Sequence, residues 1–167
     1  MKKIVLKEEH IRQLVIETLE NLILGEDGNT NMEFSSANDI MRLMQKYEKY
    51  VVYDRVDINP SYNEGNLQFY LNLDNVGLEN EFFIELDFDI EYHWDKSYYP
   101  TRHGEHWYAD FCLDNLTQSR VRIIDYTNNS ESEWLRIDDN SANFFNELLF
   151  KYYDDIAEIC KEKFNYD

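Results

Sequence analysis

A row of carboxylates at every second position is the feature of this sequence whose residue types could do chemistry. Between Phe82 and Trp94 every even-numbered residue is apolar or aromatic, whereas every odd-numbered residue from Glu85 to Glu91 is an acid. Successive side chains of a β-strand point to opposite faces, so this alternation predicts a strand with one buried face and one negative face. A face of that kind could bind a basic protein surface or a divalent cation.

The predicted binding face extends to a later strand. Asp110 and Asp114 share one parity there, and neighbouring strands of a sheet lie about 4.8 Å apart. One column of acids is too sparse to imitate duplex DNA, which carries about one charge per 1.7 Å, but two columns begin to resemble a polyanion. The residues that we expect on this face are Glu85, Asp87, Asp89, Glu91, His93, Tyr108, Asp110 and Asp114.

Two other interpretations of the acidic row stay open. The row could be a charged face that only keeps the chain soluble and discourages edge pairing. It could also serve a metal-dependent hydrolase, with ligands drawn from Asp87, Asp89, Glu91, His93, His103 and His106. Alternate side chains of one strand do not converge on an ion, and no zinc-type spacing is present, so we predict no metal, no cofactor and no catalytic residue.

The net charge narrows the classes of partner. The 167 residues include 16 Lys and Arg against 34 Asp and Glu, which gives a formal net charge of −18. The acidity is concentrated, because no Lys or Arg occurs from Val56 to Asp95. Contacts with nucleic-acid phosphates or anionic membranes require basic residues, so we expect neither as a direct partner. The predicted partner is the basic surface of a host protein, such as a nuclease.

Helical periodicity and a long region of strands place the chain in the α+β class. Apolar residues at helical spacing predict two N-terminal helices at about 7–24 and 37–49, and one closing helix at about 142–164. The region at about 51–137 predicts five or six strands in an antiparallel meander, because consecutive strands usually pair with their neighbours. We expect the helices to pack on this sheet within a single domain of residues 1–167.

Turn signals subdivide the strand region. Asn63-Glu64-Gly65 and Asn128-Asn129-Ser130 are typical of turns between strands. We predict that the acidic strand ends near Asp95 and that residues 96–104 form a polar, aromatic loop. Three further strands are then expected: one from Trp107 to Leu113, a separate one from Arg120 to Tyr126, and one from Trp134 to Ile137.

The opening of the chain, Met1-Lys2-Lys3-Ile4-Val5-Leu6-Lys7-Glu8-Glu9-His10-Ile11 through Leu24, has a basic start, an Ile-x-Leu step, a polar cap and an amphipathic helix. This order resembles the opening of many small proteins from phages and mobile elements. Glu17 and Glu20 depart from it, since those proteins usually carry Lys there. The resemblance covers residues 1–24, implies a genomic setting and transfers no chemistry.

These observations together predict a small acidic binding protein rather than an enzyme. Cys112 and Cys160 lie far apart with no C-x-x-C spacing, so we expect reduced thiols in the host cytoplasm. Charged residues interrupt the apolar positions of the first segment, so we expect no signal peptide. The specific hypothesis is an anti-CRISPR-like inhibitor that mimics nucleic acid and blocks a host nucleic-acid-handling or defence protein. A phage structural or assembly protein and a metal-dependent hydrolase remain the alternatives.

Overall fold

The structure, a computed structural model, describes residues 34–164 except for the side chains of Thr101 and of residues 105–107. The predicted helix at 7–24 lies outside the described residues. The strands are β1 (Val51–Asn59), β2 (Glu64–Asn72), β3 (Glu81–Thr101), β4 (Gly104–Asp125), β5 (Ser130–Glu131) and β6 (Leu135–Arg136). The helices are α1 (Ala37–Lys46), α2 (Ala142–Lys151) and α3 (Tyr153–Lys163), with 3₁₀ turns at Glu48–Tyr50 and Asp74–Val76.

One antiparallel sheet organises this part of the chain. Its strand order is β1-β2-β3-β4-β5, and β6 also pairs with β4. Both predicted turns are present, and Asn63 and Asn129 adopt the positive φ values, 55° and 49°, that Asn tolerates better than most residues. The prediction of an α+β fold with five or six antiparallel strands is therefore confirmed.

The even-numbered residues of β3 from Phe82 to Ile90 lie in the core, as the alternation predicted. Phe82, Ile84, Leu86 and Phe88 are all fully buried. Ile40 of α1, Phe145 of α2 and Ile156 of α3 belong to the same buried core, so the described helices cover this inner face of the sheet. Burial of each such side chain contributes about 1.5–3 kcal/mol to folding, and we call the opposite side of the sheet the outer face.

The acidic strand is longer than predicted, because the loop expected at 96–104 is wrong. Strand β3 continues to Thr101 and β4 begins at Gly104, so Arg102 and His103 alone form the turn. Strand β2 begins opposite Asp89, so from that residue onward β3 and β4 continue as a two-stranded antiparallel ribbon, which we define as residues 89–117. Pro100 is tolerated within β3 because no third strand needs its missing N–H there.

The ribbon is anchored at its base by aromatic packing. Tyr92 and Phe111 lie on its inner side, with ring centroids 4.3 and 5.7 Å from that of Phe164 just after α3. The hydroxyl of Tyr153 donates a hydrogen bond to the backbone oxygen of Leu113 at 2.8 Å. The start of the last helix, through Tyr153, and the residue that follows it, Phe164, therefore hold the base of the ribbon in a defined position.

The prediction of two separate strands at 107–113 and 120–126 is also wrong. A single strand, β4, covers both segments and the residues between them. Its pairing with β3 shifts by one residue at Asp114 and again at Ser119, each being the unpaired residue of a β-bulge. The polar residues between the two apolar segments are thus absorbed into the strand instead of forming a turn.

The closing helix is broken where one helix was predicted at 142–164. Tyr152 separates α2 from α3, with φ and ψ of −107° and 17°. Its ring stacks on Tyr53 at a centroid distance of 4.5 Å, and acidic residues in the first turn of α3 favour a new helix start. In the range 34–164, no helix combines the length and the apolar composition needed to cross a membrane.

Candidate functional site on the outer face of the sheet

The first half of the acidic row is neutralised by the neighbouring strands. Glu85 accepts a short hydrogen bond from Nε of Arg122, which lies opposite it on β4. Asp87 accepts hydrogen bonds from Nε of Arg120 and from Nδ2 of Asn66, each at 2.7 Å. The side chains of Glu85 and Asp87 are only 14% and 18% exposed. These two predicted binding residues therefore act mainly as partners within the sheet.

The indole ring of Trp134 contacts both arginines that pair with Glu85 and Asp87. The guanidinium carbons of Arg120 and Arg122 lie 4.6 and 4.7 Å from its ring centroid, within the range of cation–π attraction. Glu131 adds a second carboxylate to Arg122 at 3.5 Å. On this half of the outer face two guanidinium groups thus offset most of the charge of three carboxylates.

The second half of the row keeps its negative charge. Asp89 and Glu91 are exposed on the outer face, and so is Asp110, which pairs with Asp95 across the ribbon. None of these four acids forms an ion pair with a Lys or Arg in the described part of the chain. Lys96 has the parity of Trp94 and therefore lies on the opposite side of the ribbon. The part of the acidic row that has no Lys or Arg partner among the described residues therefore lies on the outer side of the ribbon.

The bulge at Asp114 sets which side chains share this surface. Before the bulge Glu91 pairs with Asn115, and after it His93 pairs with Cys112. Without the extra residue, Cys112 would lie opposite Trp94 and point to the inner side, because a one-residue slip reverses every side chain. The bulge therefore brings Cys112 to the outer side beside His93.

Four side chains meet there in what we call the ribbon cluster: His93, Asp95, Cys112 and Asp114. Nδ1 of His93 lies 2.7 Å from Oδ1 of Asp114, and its Nε2 lies 3.4 Å from Oδ1 of Asp95. Sγ of Cys112 lies 3.7 Å from Oδ2 of Asp95. The ligand atoms of His93, Asp95 and Cys112 all lie within 4.8 Å of one another.

The environment of the ribbon cluster shifts two pKa values. The hydrogen bond to Asp114 raises the pKa of His93 above its usual value, and the charges of Asp114 and Asp95 add to the effect. Partial removal from water raises the pKa of the Cys112 thiol, and the charge of Asp95 raises it further. Both groups therefore keep their protons to a higher pH than they would in free solution.

Aromatic side chains lie near the tip of the ribbon. Tyr108 is 58% exposed, and its ring lies edge-on to that of Tyr99 with 6.0 Å between centroids. Tyr108 pairs with Ser97, which has the parity of His93 and Asp95, so Tyr108 lies on the same outer side as the acids. Exposed Tyr beside charged groups is a composition that protein interfaces favour.

The structure does not assemble the set of metal ligands considered from the sequence. His103 lies in the turn at the tip of the ribbon, beyond Thr101, and Thr101 is eight residues from His93 along β3, a separation of about 26 Å. The side chain of His106 is outside the described part. Asp87 is engaged by Arg120, and Asp89 and Glu91 diverge along the strand.

Sequence reasoning missed the ribbon cluster. The sequence predicted Asp95 at the end of the acidic strand, but it did not indicate that His93 and Cys112 lie beside it. The His93-x-Asp95 spacing on one strand face was a usable signal. The position of Cys112 was not a usable signal, because the side of the ribbon on which it lies depends on the bulge at Asp114.

Comparisons with models of protein families, with curated proteins and with solved structures find no match for this chain.

Proposed function

We propose that this chain is an acidic binding protein that inhibits a nucleic-acid-handling protein by occupying its polyanion-binding groove with the outer side of the ribbon. The observation that carries the proposal is the division of the acidic row. Arg120 and Arg122 neutralise one half of it, whereas the acids of the ribbon face solvent without a Lys or Arg partner among the described residues. A surface that only provided solubility would not need this segregation.

The density of charge on the ribbon favours a single strand as the imitated polyanion. Asp89 to Asp95 spans six residue steps, or about 20 Å of β3. The outer side carries five carboxylates along this length: Asp89, Glu91, Asp95, Asp110 and Asp114. That is about one charge per 4 Å, close to the 3.4 Å per charge of one nucleic-acid strand and well below the density of a duplex.

The shape of the ribbon and its aromatic residues suit the same kind of groove. The part of β3 from Ile90 to Thr101 covers eleven residue steps, a reach of about 36 Å for a strand. Grooves that bind single strands combine positive charge with aromatic side chains on which bases stack. Tyr99 and Tyr108 could occupy such base positions while the carboxylates face the basic side chains.

The remaining parts of the proposal concern origin and location. The resemblance of residues 1–24 to small phage and mobile-element proteins supports an inhibitor that acts on a host defence protein. The free thiols Cys112 and Cys160 support action in the reducing cytoplasm of the host.

The proposal is tested by capture followed by competition. The immobilised chain is exposed to a host-cell lysate, retained proteins are identified, and each is tested for binding of single-stranded DNA or RNA in the presence of the chain. We expect a retained protein whose nucleic-acid binding is displaced competitively. Retained proteins that do not bind nucleic acid, or whose binding the chain does not displace, would contradict mimicry.

A matched pair of variants locates the surface. The ribbon variant carries Asp89→Asn, Glu91→Gln and Asp110→Asn, all outside the ribbon cluster. The control variant carries Asp139→Asn, Glu147→Gln and Glu158→Gln, three exposed acids that lie off β3 and β4. The net charge changes equally in the ribbon variant and the control variant. Only the ribbon variant should therefore bind the captured protein more weakly than the wild-type chain does.

A further inference from the structure

We propose that the ribbon cluster is a binding site for a divalent cation of the zinc class. Nε2 of His93, the carboxylate of Asp95 and Sγ of Cys112 are the ligands, and Asp114 orients the imidazole. The inference goes beyond the proposed function, and it uses none of the three residues that the ribbon variant changes. The two proposals can therefore fail independently.

Two of the separations within the ribbon cluster are close to those of a tetrahedral site, and the three ligand atoms all lie within 4.8 Å of one another. Bonds of about 2.0–2.2 Å from zinc to nitrogen and oxygen, and about 2.3 Å to sulfur, give ligand separations of about 3.3–3.7 Å at the tetrahedral angle. Nε2 of His93 lies 3.4 Å from one oxygen of Asp95, and Sγ of Cys112 lies 3.7 Å from the other. Small rotations of exposed side chains suffice to close the site around an ion.

The contact of His93 with Asp114 is the arrangement that metal-bound histidines commonly have. A carboxylate that accepts a hydrogen bond from Nδ1–H selects the tautomer whose Nε2 lone pair is available. At 2.7 Å from Asp114, Nδ1 of His93 makes that bond, and Nε2 is on the side of Asp95. Asp114 is thus a positioning residue.

The donor set determines the metal. Nitrogen, sulfur and oxygen ligands together suit Zn²⁺, whereas Mg²⁺ and Ca²⁺ prefer sites made of oxygen alone. The site offers three protein ligands on a solvent-exposed surface, with side-chain exposures of 51% for His93 and 69% for Asp95. A fourth coordination position therefore remains for water or for a donor from a bound partner.

The test is a titration of the reduced, metal-free protein with Zn²⁺ in competition with a chromophoric chelator, followed by titration with Co²⁺. We expect tight binding of Zn²⁺ and a sulfur-to-cobalt charge-transfer band in the near ultraviolet. Cys112→Ser should abolish the band, and His93→Ala should lower the affinity at least tenfold. Buried Cys160 is present in every variant, so a band that it caused would persist in Cys112→Ser.

Two further variants separate positioning from charge. Asp114→Asn should weaken Zn²⁺ binding about 10–100-fold while the cobalt band is retained, and it should change the His93 tautomer detected through the imidazole ¹⁵N shifts. Asp139→Asn removes the same charge at a distant exposed turn and should leave the affinity unchanged. The proposal is overturned if Cys112→Ser binds Zn²⁺ as tightly as the wild-type protein or if Co²⁺ gives no thiolate band.

Discussion

Gly65 lies where the ribbon leaves the sheet, and its replacement by Ala tests the packing there. A Cβ atom at this position would overlap two ring carbons of Phe88 and would lie 2.9 Å from Cδ1 of Ile58. Phe88 is fully buried, so its ring has no room to move aside. Overpacking of this kind costs about 1–3 kcal/mol, and the lower entropy of the unfolded chain with Ala recovers about 0.4–1 kcal/mol.

The expected net loss for Gly65→Ala is about 1–2 kcal/mol in the free energy of unfolding. For a domain of this size that corresponds to a decrease of about 2–8 °C in Tm. Urea unfolding followed by circular dichroism measures the free energy directly. Gly77→Ala is the informative comparison, because a Cβ there meets nothing within 4 Å and the cost comes from a φ of +79° alone.

A double-mutant cycle with Phe88→Leu separates overlap from any other effect. Leu lacks the distal ring atoms that the new Cβ would meet, so Gly65→Ala should cost less in the Phe88→Leu background. We expect a coupling of about 0.5–3 kcal/mol between the two sites and none between Gly77 and Phe88. An equal cost of Gly65→Ala in both backgrounds would refute the packing described for this part of the sheet.

Three more predictions concern ionisable groups. Arg122→Met should destabilise the fold by about 1–3 kcal/mol because it leaves the largely buried Glu85 unpaired, whereas the more exposed Arg120→Met should cost under about 1 kcal/mol in the same urea assay. Burial raises the pKa of Cys160 from 9.0 to about 11, so the unfolded chain releases this proton first and stability should fall between pH 9 and pH 11, a decline that Cys160→Ala should remove. The backbone N–H of Ser141 lowers the pKa of Asp138 below 3.8, so the ionised Asp138 stabilises the fold above that pH and this stabilisation is lost on acidification. The difference in the free energy of unfolding between wild type and Asp138→Ala should therefore shrink below pH 3.8.

Local signals in the sequence were sufficient to predict the fold class and the buried face of β3. The alternation from Phe82 to Trp94 identified the buried face of β3, because period two is set by strand geometry alone. The start of α1 is also a local feature, because the carboxylate of Asp39 accepts the N–H of Ser36, three residues earlier, at 2.9 Å. The break at Tyr152 was not predictable, because it depends on a stacking partner, Tyr53, that lies about a hundred residues earlier in the chain.

The candidate site depends more on register than on composition. Asp110 and Asp114 lie on the same face of the sheet as the row, but the register set by the bulge at Asp114, rather than residue parity alone, places them there. Neutralisation by Arg120 and Arg122 was not foreseen, because those residues lie 33 and 37 positions after their partners. Which residue faces which across β3 and β4 depends on the two bulges, and bulges arise from the packing of the whole sheet rather than from a local motif.

We propose that the acids of the ribbon that have no Lys or Arg partner bind a basic groove on another protein. The most direct test of this proposal is the affinity of the captured partner for the wild-type chain and for the ribbon variant over a series of salt concentrations. Three exposed charge pairs of about 0.2–1 kcal/mol each predict a loss of about three- to hundredfold for the ribbon variant at low salt. That difference should shrink as salt screens the contacts. Equal affinities at low salt, or a loss as large in the control variant, would contradict the account.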